Sequence, residues 1–295
     1  MVTIGTFDGV HYGHQKIINR LCELAEDTDG ESVILTFFPH PRLIIDPENQ
    51  DLKMINTVNE KAEILEILGV DHLIIIPFTR DFSNMSPDEY VKNILVDTIG
   101  VKHLIVGYDH RFGKDRKGGM PELRDFSRTY GFELEEIPEQ DVNDVAVSST
   151  KIRNALLNGE VALAAEYLGY HFSLHGQVVK GDKIGRTIGF PTANIFVEET
   201  YKLIPSDGIY AVTVAMNREM FTGMAYIGQR PTINGMTRNI EVNIFDFNRE
   251  IYGQDITMNF MKFLRHDVKF TGLEALKEQL QKDKMATLAY FNGQS

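Results

Sequence analysis

Two histidines, His11 and His14, stand three residues apart in the stretch TIGTFDGVHYGH, where glycines recur at every fourth position as Gly5, Gly9 and Gly13. Residues at i and i+3 share one side of a helix. A pair of imidazoles at a helix start can therefore aim two donors at one anion. Glycine lets the backbone turn tightly and come close to a ligand, and the free N–H groups of a helix start favour negative charge. Together these features describe a phosphate site. Two other readings of the pair stay open, surface histidines at a helix start and a zinc site. The spacing is not H-E-x-x-H, and no third ligand accompanies it. Neither G-x-G-x-x-G nor a Walker loop fits, and the glycines of GYDHRFGKD fail the Walker spacing and its Ser/Thr.

Further along, SSTKIRNAL sets Ser148, Ser149 and Thr150 at the start of a helical pattern that carries Arg153. Hydroxyls, unpaired amides and a guanidinium make a reasonable anion site, although Ser-Ser-Thr before a helix is in most cases only an N-cap. A second glycine series, Gly181, Gly185 and Gly189, runs through GDKIGRTIGFPTAN and ends in Pro191, Thr192, Ala193 and Asn194. Thr192 and Asn194 offer neutral oxygens beside a glycine loop that also holds Thr187, and Mg²⁺ commonly takes one or two protein oxygens with phosphate and water supplying the rest. In NIEVNIFDF, Ile240, Val242 and Ile244 share one face of a strand and Glu241 and Asn243 the other. Nothing in the pattern itself ranks Glu241 above Asp246 or Glu250.

The elements that must position these residues change character along the chain. Val2–Gly5, VILTFF, HLIIIPF, HLIVG and FELEEI read as strands. They alternate with helical patterns at Tyr12–Glu26, EKAEILEILG, SPDEYVKNILVD and PELRDFSRTYG. The third of these opens with a Ser86–Glu89 capping box and a proline at the first helical position. A βαβα rhythm predicts a parallel sheet with helices over it, binding ligands beyond the carboxyl ends of its strands. Past Tyr170 the crossover helices stop. GIYAVTVAM, MFTGMAYIG, IEVNIFDF and ITMNFMKFLR are short strands between turns, and GLEALKEQLQKDKMATLAYF has helical spacing. The expected architecture is α/β plus β: a Rossmann-like domain at 1–169, then a small antiparallel barrel with a terminal helix at 170–295.

The totals narrow the class of partner. A chain of 295 residues can bury two cores. A formal net charge of −12 argues against sequence-independent nucleic-acid binding, which rests on neutralising phosphates, yet leaves small nucleotides open. No apolar run approaches the roughly 20 residues of a membrane helix. Nothing at the N-terminus reads as a signal peptide. Cys22, with no second cysteine, fits a reducing compartment, so the expected location is the cytoplasm.

GTFDGVHYGH resembles the H-x-G-H-type motif of the nucleotidyltransferase superfamily in the form found in bacterial bifunctional riboflavin kinase/FAD synthetases. SSTKIR resembles the S-S-T-x-I-R motif of the same family, and GDKIGRTIGFPTAN its riboflavin kinase loop for ATP and Mg²⁺. The resemblance spans nearly the whole chain in the family's order. It implies that Gly5, Thr6, Phe7, Asp8, Gly9, His11, His14, Ser149, Thr150 and Arg153 bind the ATP used for adenylylation, with His11, His14 and Arg153 catalytic. For the kinase it implies ATP binding at Gly181, Gly185, Thr187, Gly189, Pro191, Thr192 and Asn194, metal at Thr192 and Asn194, and Glu241 as the base for the ribityl hydroxyl. TFFPHPR and GYDHRFGKDRKGG match family loops near the flavin, which brings Phe38, His40, Arg42 and Asp109 to that ligand. His110 replaces the more usual phenylalanine, so no role is carried to it. Family members usually carry a further segment before the first strand, whereas here that strand begins at Val2.

The implied ligands are riboflavin, FMN, FAD and ATP with Mg²⁺, and neither nucleic acid nor membrane. The rival expectations are a chain in which only one module turns over and a flavin-binding regulator without turnover.

Overall fold

The structure, a computed structural model, describes residues 1–46, 48, 51–138, 147–181, 184–232 and 235–293. Asp182 and Lys183 of the second glycine loop lie outside these. The chain forms two compact units, Met1–Ser149 and Thr150–Ser295.

In the first unit β1 (Val2–Ile4), α1 (Tyr12–Asp27), β2 (Val33–Phe38), α2 (Pro41–Ile45), α3 (Val58–Ile67) and β3 (His72–Pro77) are followed by α4 (Arg80–Ser83) and α5 (Pro87–Glu89). Helix α5 runs on into π-helical turns over Tyr90–Thr98, and β4 (His103–Gly107), α6 (Met120–Tyr130) and β5 (Glu133–Ile137) complete the unit. The five strands form one parallel sheet in the order β3-β2-β1-β4-β5. The chain starts at the centre, builds outward through β2 and β3, then returns to β1's other side with β4. The carboxyl ends of β1 and β4 therefore flank the point where the winding reverses, and such a point opens a ligand crevice. The first glycine loop follows β1, and Tyr108–Asp109 follow β4.

Burial follows the apolar periodicity. Ile17, Ile18 and Leu21 of α1 pack with Ile34 and Ile105 on one face of the sheet, and Leu35, Leu104 and Val106 join Val91 and Leu95 on the other. Sheet residues point alternately to the two faces. Sequence spacing placed the long elements to within a few residues, while α2, α4 and the π-helical register carried no such signal.

The second unit opens with α7 (Ser149–Leu157), whose first residue belongs to the first unit, and α8 (Val161–Leu168). Then come β6 (Ser173–Val179), α9 (Ile184–Thr187), β7 (Ala193–Phe196), β8 (Gly208–Met216), β9 (Glu219–Thr232), β10 (Gly235–Ile244), β11 (Asp255–Arg265) and α10 (Leu273–Asn292). The six strands close into a barrel in the order β10-β7-β6-β11-β8-β9, every pairing antiparallel. Closure removes the edges that would otherwise template association. Alternate residues fill the interior: Ile240 and Val242 of β10 are buried, as are Ile256, Met258 and Phe260 of β11. The opposite face of β10 carries Asn239, Glu241 and Asn243. Helix α10 is held by Leu280 and Leu288 against Phe190, Met224 and Phe245, and by a bidentate pair in which Arg265 Nε and Nη2 donate to Asp283 at 2.8 and 2.6 Å.

Candidate functional site

After β1 the backbone stays on the ladder for one more bond, Gly5 N–H to Leu35 C=O at 3.1 Å, and then breaks away. Gly9 adopts φ +88°, in the left-handed region that favours glycine. Phe7 and Val10 are also at positive φ, 44° and 36°, so the turn is tight and strained. The strain is held in place by burial. Asp8, 2% exposed, accepts from the backbone N–H groups of Ile55 and Asn56 at 2.9 and 3.4 Å. The Ser149 hydroxyl donates to the Asp8 carbonyl at 2.8 Å, which pins the first residue of α7 to this loop. The sequence suggested a capping role for that hydroxyl. Its proton goes to a loop remote in sequence.

His11 is the N-cap residue of α1 and His14 lies in its first turn. Their rings stack 3.6 Å apart at 17°, and Phe7 packs edge-on to His14 at 5.2 Å. Burial, then the neighbouring His11, then Lys61 hold the His14 pKa well below its ordinary value. At neutral pH His14 is thus a neutral imidazole, one ring nitrogen a donor and the other an acceptor. Its buried Nδ1 has no hydrogen-bond partner among the described residues. No group of three or more His, Cys, Asp or Glu side chains gathers as a metal site among those residues.

Sequence reasoning passed over Lys61. It lies on α3, 9% exposed, and its Nζ donates to the Thr6 carbonyl at 2.6 Å. Burial lowers its pKa, with Asp8 opposing. A Thr57/Glu60 capping box fixes the start of α3 and so the place from which Lys61 reaches the loop. The signal in the sequence was a lysine on the buried stripe of an amphipathic helix, where a charge needs a reason.

The sheet brings the flavin-side candidates to strand ends. Phe38 is exposed at the end of β2. His40 caps α2, its Nδ1 accepting from Arg42 N–H at 3.2 Å. Asp109, in the turn after β4, is exposed, and its Oδ1 lies 3.5 Å from where a side chain on Gly107 would begin. Next to it, burial pushes the His110 pKa down to about 4, and its ring stacks on Phe112 at 5.8 Å. Thr150 is exposed, and Arg153 stands on the following turn of α7 in the second unit.

In that unit a cavity of about 400 Å³ opens between the barrel wall and α10, lined by Thr192, Glu241, Asn243, Tyr226, Arg265 and Asp267 among apolar side chains such as Phe190, Met224 and Leu280. Glu241 is fixed from two sides. The Thr192 hydroxyl donates to Oε2 at 2.9 Å and the Asn239 amide to Oε1 at 2.7 Å. The pairing of β10 with β7 sets Glu241 opposite Asn194, which is how two stretches far apart in sequence converge. The Asn243 amide donates to Pro191 C=O at 2.6 Å and ties the same loop to β10. Gly181 and Gly185 are needed for space: a Cβ on Gly181 would lie 2.1 Å from Asn194 Nδ2, and one on Gly185 2.2 Å from Phe190 O. Gly189 is at φ +87°, and Thr187 ends α9 on the exposed side.

This donor set fits a hard cation. The Thr192 proton is committed to Glu241, so its oxygen lone pairs remain for a metal, and Asn194 lies packed against Gly181 with no bulk between them. Among the described residues no helix is long and apolar enough to cross a membrane.

The FAD synthetase family model matches residues 1–151 and the riboflavin kinase model residues 168–291. Curated relatives share this order. The bifunctional riboflavin kinase/FMN adenylyltransferase of Listeria monocytogenes is 40% identical over 99% of this chain and 92% of its own, and that of Haemophilus influenzae 37% over 99% and 94%. A crystal structure described as a macrolide-efflux protein from Streptococcus pneumoniae superposes with a TM-score of 0.86 at 32% identity, covering 97% of this chain and 93% of that one. Two catalytic domains in the order found in these relatives, over nearly their full length, make the chain a member of the bifunctional riboflavin kinase/FMN adenylyltransferase family.

Proposed function

We propose that two catalytic modules, 1–169 and 170–295, run separate reactions with separate residues. In the C-terminal module the ribityl 5′-hydroxyl of riboflavin attacks the γ-phosphorus of ATP. Its proton passes to Glu241, the bond to the bridging oxygen breaks, and FMN and ADP leave. Thr192 and Asn194 would hold Mg²⁺, which neutralises phosphate charge when bound. Pro191 and the glycines Gly181, Gly185 and Gly189, with Thr187, shape the loop around the nucleotide. The cavity beside Glu241 suits an isoalloxazine, being mostly apolar with a few convergent polar groups.

In the N-terminal module a phosphate oxygen of FMN attacks the α-phosphorus of a second ATP, and pyrophosphate leaves. Gly5–Gly9 give the phosphates room, His11 and His14 donate to them, and the start of α7 with Ser149, Thr150 and Arg153 adds hydroxyls and a cation. No base is required, because the attacking oxygen is already anionic. Positioning and fixed charge then supply most of the rate. Phe38, His40, Arg42 and Asp109 face the flavin of FMN. We assign the adenylyltransferase to 1–169 and the kinase to 170–295, in the cytoplasm, where a lone thiol stays reduced.

The observation that carries this reading is the Thr192–Glu241 bond, which joins the proposed metal ligand to the proposed base in one cavity wall. The test is a time course with riboflavin, ATP and Mg²⁺ in which the flavins are resolved by chromatography. FMN should rise and then pass into FAD. His14→Ala should stop FAD and spare FMN, and Glu241→Gln should stop FMN made from riboflavin yet convert added FMN to FAD. Loss of both reactions from either substitution in folded protein would refute the division of labour.

A further inference from the structure

Building on the reading of Glu241 as the kinase base, we infer that Asn239 is a positioning residue for that base. It sits two residues before Glu241 on the same face of β10, and its amide Nδ2 donates to Glu241 Oε1 at 2.7 Å. A carboxylate only accepts, so the NH₂ end of the amide must face it, whatever an electron-density reading of such a group would show. Thr192 occupies the other oxygen at 2.9 Å. A carboxylate bonded at both oxygens cannot swing about its last torsion. Each oxygen still keeps a lone pair, so the group is both oriented and able to accept one more proton donor.

The backbone makes room for this arrangement. Gly228 lies opposite Asn239 across the β9–β10 ladder, and Tyr226 lies opposite Glu241. The Tyr226 ring covers Gly228, its hydroxyl standing 2.0 Å from where a Cβ would be. That hydroxyl donates to Asp267 at 2.9 Å, which leaves Glu241 to Asn239 and Thr192. Asn239 does not line that cavity, and the contact that ties it to the site is its bond to Glu241.

The other charged or titratable groups facing that cavity are Tyr226 from β9 and Arg265 and Asp267 at the end of β11. Arg265 is committed to Asp283. Helix α10 contributes Leu276 and Leu280, α9 contributes Gly185, and Ile188 follows α9.

The experiment measures kcat and KM for riboflavin phosphorylation at saturating ATP and Mg²⁺, on the full chain. Variants are Asn239→Ala, Asn239→Gln and Asn239→Asp, with Glu241→Gln as control, and conversion of FMN to FAD reports that each is folded. Asn239→Ala should lower kcat on the order of tenfold and leave KM for riboflavin within about twofold, the loss of one hydrogen bond to a charged acceptor. Asn239→Gln, which keeps the amide donor, should restore much of kcat, and Asn239→Asp, whose carboxylate cannot donate, should not. A kcat that falls no further in the Ala and Asp variants than in the Gln variant, or a loss that appears in KM alone, overturns the inference. If Glu241→Gln keeps kinase activity, the underlying assignment of the base fails and takes this inference with it. If it is inactive while the Asn239 variants behave as wild type, only the inference fails.

Discussion

At the scale of single residues the first unit concentrates fixed positive potential under its glycine loop. Lys61 spends one of three donors on Thr6 C=O, and its charge helps to keep His14 neutral. A buried cation is costly unless something repays it, and anionic phosphates at the crevice mouth would. Lys61→Met keeps most of the side-chain volume and removes the charge. We expect FMN adenylylation to fall by about a hundredfold, the loss of one charge-stabilising contact, with riboflavin phosphorylation unchanged. Equal rates in mutant and wild type in an FMN-to-FAD assay would show the lysine to be structural.

Elements set where these groups point. The Thr57 hydroxyl accepts from Glu60 N–H at 3.1 Å and Glu60 returns the bond to Thr57 N–H at 2.8 Å, so α3 starts at one fixed place. Thr57→Ala should cost the first unit about 1 kcal/mol and depress adenylylation before it affects phosphorylation. Chemical denaturation followed alongside both activities checks this order of loss. In the second unit the corresponding control is steric. A methyl at position 181 meets the Asn194 amide at 2.1 Å, the end of a side chain that can rotate away. Gly181→Ala should therefore leave the barrel folded but displace Asn194, raising KM for ATP–Mg²⁺ in the kinase assay while the adenylyltransferase KM stays put. Unchanged kinase KM would remove Asn194 from the nucleotide site.

At the scale of the whole molecule, stability should fall on acidification, through the first unit. His14 and His110 are both buried and have folded-state pKa values below the ordinary 6.5, His110 at about 4. Below pH 6.5 the unfolded chain binds protons that the folded chain refuses, so unfolding gains as pH drops. His110 alone accounts for about 2 kcal/mol by pH 5. The urea midpoint for loss of adenylyltransferase should drop between pH 7.5 and pH 5, and His110→Phe should flatten that dependence. A midpoint that does not move with pH would mean both rings are solvated.

Much of this was readable from the chain. Period-2 and period-3.6 apolar patterns placed the long strands and helices because burial dictates them locally, and capping residues such as Ser86 marked helix starts through short-range bonds. The histidine pair was legible for the same reason: three residues along one helix suffice to stack two rings. Strand order was not, since β4 returning to the far side of β1 depends on which sheet edge buries more. Lys61 beneath Thr6 and Ser149 on Asp8 join residues 55 and 141 positions apart. Nor did periodicity single out Glu241 among its acidic neighbours. What sets it apart is a barrel register that places it against Asn194, with Thr192 and Asn239 bonded to its two oxygens. Sequence by itself determined which residues could do the chemistry and which elements would carry them. Only the winding of the sheet and the closure of the barrel decided which would meet, because contacts between distant segments are chosen by the packing of each core.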